Sequence, residues 1–102
     1  LLSTVISVPD ADHAVCDIGL KSATGEFGLP EIKEPEGWKL IGLSEEHGKL
    51  ERDGGAPLHP GDVIEIYPSH GCTTINLHDR YFVLRRGLLE AIWPIAARGR
   101  FR

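Results

Sequence analysis

Two stretches dense in proline and glycine divide this chain and limit what it can fold into. Residues 25–37 hold Gly25, Gly28, Pro30, Pro35 and Gly37, and residues 53–61 hold Gly54, Gly55, Pro57, Pro60 and Gly61. Proline removes a backbone donor and glycine loosens the chain, so neither stretch is expected to hold a regular element. The runs between them have strand character. Residues 2–8 are rich in Val, Ile and Thr, and the turn-forming Pro9-Asp10-Ala11-Asp12 separates them from a second run at 14–18. Residues 38–43 and 47–50 flank a turn at Glu45-Glu46. In 62–67, Ile64 and Ile66 fall on one face, with Val63, Glu65 and Tyr67 on the other. A strand is expected at 73–77. Residues 81–85 and 88–93 form a hairpin closed by Arg86-Gly87, where glycine supplies positive φ.

Apolar residues do not recur at helical period over any helix-length stretch. Residues 88–92 alone are helix-compatible, and Pro94 would end them. The expected fold is all-β, a small barrel-like or sandwich domain of roughly seven or eight short strands. Short strands with open edges invite aggregation, which favours closure. Val5, Ile64, Ile66, Phe82, Leu84, Ile92 and Trp93 are the expected buried residues. With 102 residues the chain fits one domain. Its net charge of −4, with both signs interleaved, advertises no basic face for nucleic acid. No apolar run approaches the ~20 residues of a membrane helix. The chain has no signal-peptide pattern, so a cytoplasmic location is expected. It starts Leu1-Leu2-Ser3 and has no methionine, which reads as a piece of a longer protein.

Reactive side chains concentrate in residues 67–79. His70 and Cys72 are two apart, and on an extended segment such residues share a face. An imidazole and a thiolate could then reach one metal ion at about 2.1 and 2.3 Å. Two protein ligands leave positions open for water or substrate, as a catalytic metal requires. The same tripeptide is also an ordinary loop sequence, so spacing leaves both readings open. His78-Asp79 could orient an imidazole, but a solvated turn is the simpler reading. Glu46-His47-Gly48 reads as a hairpin turn before it reads as a general base. Lys21 lacks any sign of the burial that a Schiff-base lysine needs and reads as a surface lysine. The basic end, residues 98–102, reads as solvated. The sequence carries no phosphate-binding glycine loop, dinucleotide fingerprint or nucleophile elbow.

Several segments, taken in order, are similar to one family. They are residues 15–21 (Val-Cys-Asp-Ile-Gly-Leu-Lys), Glu45-Glu46-His47-Gly48, Pro60-Gly61-Asp62, residues 68–79 beginning Pro-Ser-His-Gly-Cys, and residues 93–99 (Trp-Pro-Ile-Ala-Ala-Arg-Gly). The series resembles the C-terminal domain of the D-serine dehydratase and D-threonine aldolase group, pyridoxal-phosphate enzymes of the alanine-racemase fold type. The resemblance implies a preceding (β/α)8 barrel in the same polypeptide, absent from this chain, that binds the cofactor. Residues 1–102 would be the following β-domain, and the full-length enzyme would be a homodimer. It also implies that His70 and Cys72 bind zinc or another divalent metal. The Cys version of the pair resembles dehydratases of 3-hydroxy D-amino acids such as D-serine, and an Asp version resembles the D-threonine aldolases. No lysine here matches the family's cofactor lysine, so this chain alone is expected to bind no pyridoxal phosphate and to be inactive. A D-threonine aldolase-type domain is the alternative within the family. From another class, the alternative is a stand-alone β-barrel for binding or assembly.

Overall fold

A computed structural model describes residues 1–100. Eight strands follow in order: β1 (Leu2–Ser7), β2 (His13–Cys16), β3 (Glu31–Glu34), β4 (Trp38–Leu43), β5 (Gly48–Arg52), β6 (Val63–Tyr67), β7 (Arg80–Arg85) and β8 (Leu88–Pro94). One short helix, α1 (Gly71–Ile75), lies between β6 and β7. Six strands form one sheet in the order β3-β6-β1-β2-β5-β4, with every neighbouring pair antiparallel. The two end strands, β3 and β4, also touch, so the sheet curls into a nearly closed barrel. Bulges in the β1–β2, β3–β6 and β4–β5 pairings supply the bends that so small a barrel needs.

The interior follows from strand alternation. Val5, Ala14, Cys16, Trp38, Leu40, Leu50, Ile64 and Ile66 point inward from successive strands and are buried. Ile18, Ala23 and Leu58, from the connecting loops, join the same buried core. The indole of Trp38 donates to the Ala56 carbonyl at 2.8 Å, so its one polar atom is satisfied inside. Among the described residues no buried side-chain nitrogen or oxygen lacks a partner. The barrel therefore carries its own core.

The all-β expectation holds, and the strand assignments differ at two places. Residues 25–37 do contain a strand. β3 has a single apolar residue, Ile32, among Glu31, Lys33 and Glu34, and within the sheet it pairs only with β6. A sheet edge accepts a charged strand flanked by prolines, because one side needs no ladder. Residues 73–77 are not a strand. They fall largely within α1, where Thr74 is buried and its hydroxyl accepts from the Thr24 amide at 3.2 Å. That tertiary bond overrides the β preference of Thr73-Thr74-Ile75.

The hairpin forms as the sequence predicts. Arg86 and Gly87 sit at φ of 51° and 76°, the two left-handed positions of a tight two-residue turn. Its burial is a correction. Phe82, Leu84, Ile92 and Trp93 are exposed at 64%, 54%, 47% and 57%, whereas Val5, Ile64 and Ile66 are buried as expected. The reason is topological. β7 and β8 make a separate two-stranded sheet, and neither packs on a barrel strand. A cleft of about 550 Å³ separates β7 from the barrel, lined by residues that include Leu1, Leu2, Glu65, Tyr81 and Phe82. Among the described residues no helix is long and apolar enough to cross a membrane. Residues 101 and 102 of the basic end lie outside the described residues.

Candidate functional site

The site segment, Pro68 to Asp79, leaves the barrel at the end of β6 and is strapped to the loop at 22–27. Ser69 Oγ lies 2.9 Å from the Glu26 carbonyl oxygen and 3.2 Å from that of Thr24, donating to this pair. The Thr24 amide donates to Thr74 Oγ1, and His78 Nε2 donates to the Ser22 carbonyl at 2.7 Å. The loop in turn docks on the β4–β5 turn, with the Leu20 and Lys21 amides donating to the Ser44 and Glu45 carbonyls. Gly19 makes this docking possible. A Cβ there would lie 2.4 Å from the Glu45 carbonyl oxygen. From β6 to β7, the segment is thus held by side chain–backbone bonds to a loop some fifty residues away in sequence.

His70 is the N-cap residue of α1 with extended backbone, at φ −144° and ψ 121°. Cys72 is the second residue of the helix. The extended-segment premise for a shared face therefore does not apply, because the chain turns helical directly after His70. Both residues instead lie at the N-terminal end of α1. Both cysteines are free thiols, with Cys16 buried in the barrel and Cys72 exposed. His70 is half-buried. Its Nδ1 lies 3.2 Å from Glu26 Oε2, and the Phe27 ring meets it edge-on at 5.1 Å between centroids.

The donor chemistry suits a divalent metal in part. An imidazole and a free thiol are the ligand types zinc takes, and His70 keeps Nε2 available while Nδ1 faces Glu26. Among the described residues no three His, Cys, Asp or Glu side chains converge on one point. For pyridoxal phosphate the chain's residues do not fit. Its lysines are Lys21, Lys33, Lys39 and Lys49, all exposed. Lys21 pairs with Glu46 at 2.6 Å, and Lys39 pairs with Glu51 at 3.2 Å. The hydrogen bond from Lys21 holds the Glu46 carboxyl below its ordinary 4.5. Lys33 pairs with Glu65. None has the desolvated amine a Schiff base needs.

The remaining expected features fall into place as local structure. Asp79 does not orient His78. It pairs with Arg98 at 3.2 Å, and its carbonyl accepts from the Ile95 amide. His78 is half-buried against Ser22 and is more than a solvated turn residue. His47 is an exposed turn residue whose carbonyl accepts from the Ser44 amide. The residue that sequence reasoning missed is Glu26. It lies in the proline- and glycine-rich stretch, and no sequence signal announces its place beside His70, which depends on the Ser69 and Thr74 hydrogen bonds to this loop.

Comparison with known proteins gives a consistent picture. The family described as "Putative serine dehydratase domain" matches residues 1–84. A D-threonine aldolase from Arthrobacter sp. is 42% identical over 100 residues, covering 97% of this chain and 26% of that protein. The crystal structure of D-threonine aldolase from Filomicrobium marinum superposes with a TM-score of 0.88 at 34% identity, over 96% of this chain and 27% of that one. D-threo-3-hydroxyaspartate dehydratase from Delftia sp. HT23 superposes at 0.74 with 26% identity, over 91% and 30%. The chain thus spans about a quarter of the length of these relatives.

Proposed function

The chain belongs to the serine dehydratase domain family, and from that premise we propose that it is the C-terminal β-domain of a pyridoxal-phosphate- and metal-dependent lyase of 3-hydroxy D-amino acids. The observation that carries this reading is the His70–Cys72 pair, a half-buried imidazole and a free thiol on a segment anchored to the barrel. In the whole enzyme these two side chains hold a divalent metal, zinc by ligand type. When bound, the ion supplies Lewis acidity at the substrate hydroxyl and pyridoxal phosphate supplies an electron sink at Cα. The chain's own part is to present the imidazole and thiolate at fixed positions. Residues preceding this chain, as a (β/α)8 barrel, bind the cofactor and complete the site. The apolar face of β7–β8 is covered in the full polypeptide. Its exposure here, together with the length of the relatives, supports this division of labour. The assembled enzyme works as a homodimer in the cytoplasm.

Cys72 favours a dehydratase acting on substrates such as D-serine. The sequence identities favour a second reading, D-threonine cleavage, since two of the relatives above are D-threonine aldolases. One substrate separates them. D-Threonine gives glycine and acetaldehyde by Cα–Cβ cleavage, or 2-oxobutanoate and ammonia by loss of the hydroxyl. The test is product analysis with the full-length protein, pyridoxal phosphate and Zn²⁺. His70→Ala and Cys72→Ala should each lower turnover about 100-fold or more while cofactor absorbance is retained. Unchanged turnover in either variant would remove the metal-ligand role. If neither D-serine nor D-threonine nor D-threo-3-hydroxyaspartate reacts, the lyase reading fails.

A further inference from the structure

We propose that Glu26 is a positioning residue that fixes the tautomer and ring orientation of His70, leaving Nε2 as the metal-facing nitrogen. This rests on the metal reading of His70 and gives the 22–27 loop a role beyond anchoring the segment. A neutral imidazole has one N–H and one lone pair, and the partner of the first decides where the second points. Here Nδ1 lies 3.2 Å from Glu26 Oε2, so Nδ1 carries the proton and donates to the carboxylate. The lone pair is then on Nε2, on the far side of the ring. Metal-bound histidines generally have such a carboxylate or carbonyl behind them.

Three observations separate this contact from an incidental surface pair. First, the backbone of Glu26 is pinned on both sides. Its amide donates to Thr24 Oγ1 at 3.0 Å, and its carbonyl accepts from Ser69 Oγ, the neighbour of His70. The carboxylate is thereby delivered to the imidazole by fixed backbone. Second, Phe27 sits at φ 64°, a left-handed conformation that a bulky residue adopts only where surroundings impose it. Its side chain is mostly exposed, at 81%, so core burial does not explain that geometry. Its ring instead meets the His70 ring at an interplanar angle of 60°. Third, the two faces of the contact come from segments 44 residues apart that are tied together at Thr74 and His78 as well. The loop is shaped to hold one ring in one pose.

The test has two arms. In the chain with ¹⁵N-labelled histidine, at a pH where imidazole is neutral, long-range ¹H–¹⁵N spectra report which nitrogen of His70 is protonated. The expected result is Nδ1–H in the wild type and in Glu26→Gln, whose amide oxygen still accepts, and a shift toward Nε2–H in Glu26→Ala. In the full-length protein, competition with a chromophoric chelator measures Zn²⁺ affinity. Glu26→Ala should weaken it about 10- to 100-fold, with Glu26→Gln between it and wild type. Nε2–H as the wild-type tautomer, or unaltered Zn²⁺ affinity in a Glu26→Ala protein with wild-type circular dichroism, would overturn the assignment. Should Glu26→Ala not fold, Glu26→Leu decides on the same two readouts, since it fills similar space without an acceptor for Nδ1–H. Absence of Zn²⁺ binding in the wild type would sink the metal reading itself, and the tautomer arm then decides the orienting contact separately.

Discussion

Asp17 shows how one side chain can carry more structure than its exposure suggests. Its Oδ1 accepts from the buried Ser3 hydroxyl and from the Thr4 amide, both at 2.7 Å, where β2 runs out beside β1. Removing the carboxylate leaves two donors without their partner, one of them buried. Asp17→Ala should therefore lower unfolding free energy by about 1–3 kcal/mol, read by urea titration. Asp17→Asn, which keeps an acceptor, should recover part of the loss. At this scale the sequence was only partly legible. His70 and Cys72 could be singled out by residue type and by the Pro-Ser-His-Gly-Cys run. Glu26 could not, because its relation to His70 exists only once Ser69 and Thr74 bind the 22–27 loop. Asp17 stands in a motif that gives it no role, for the same reason. Its partners lie on another strand.

Elements read well where one face meets the barrel interior. β4 matches its expected limits, and β1, β5 and β6 differ by a residue or two, because alternation and turn residues agree there. β3 was hidden because an edge strand needs little apolar content. The β7–β8 hairpin was located correctly and its burial was not. Alternation says that a face is apolar and does not say what covers it. This gives a contrast that can be measured. Ile64, 1% exposed in the barrel, should lose about 2–5 kcal/mol of chain stability on Ile64→Ala. Phe82→Ser and Trp93→Ser should each change it by less than about 0.5 kcal/mol in chemical denaturation of this chain, since both are exposed surface. A loss of several kcal/mol in either serine variant would mean that the hairpin packs on the barrel after all.

Four ionisable groups paired at the surface of the molecule, Asp10, Lys33, Glu46 and Glu65, are shifted by their partners and shape its response to pH. Glu65, hydrogen-bonded by Lys33 across β3–β6, and Glu46, hydrogen-bonded by Lys21, are both held below their ordinary 4.5. Asp10 is held below 3.8, first by the Asp12 amide and then by His13. Carboxyls lowered on folding stabilise the chain above their ordinary values and lose that effect as pH falls through the lowered ones. Lys33 is raised above 10.5 by the same Glu65 contact, so its share is present below 10.5 and lost as pH rises further. The melting temperature should be level with respect to these groups between about pH 5 and 10 and fall on both sides. Glu65→Gln should soften both falls, modestly, because the pair is exposed. A different consequence follows from the hairpin standing apart from the barrel. Its ladder can come open without disturbing a single barrel strand, so its amides should trade hydrogen for deuterium long before those of β1, β2 and β6. In the complete polypeptide that early-exchanging pair of strands becomes a reporter. The slowing of its exchange would measure, in free energy, how firmly the rest of the molecule holds this domain.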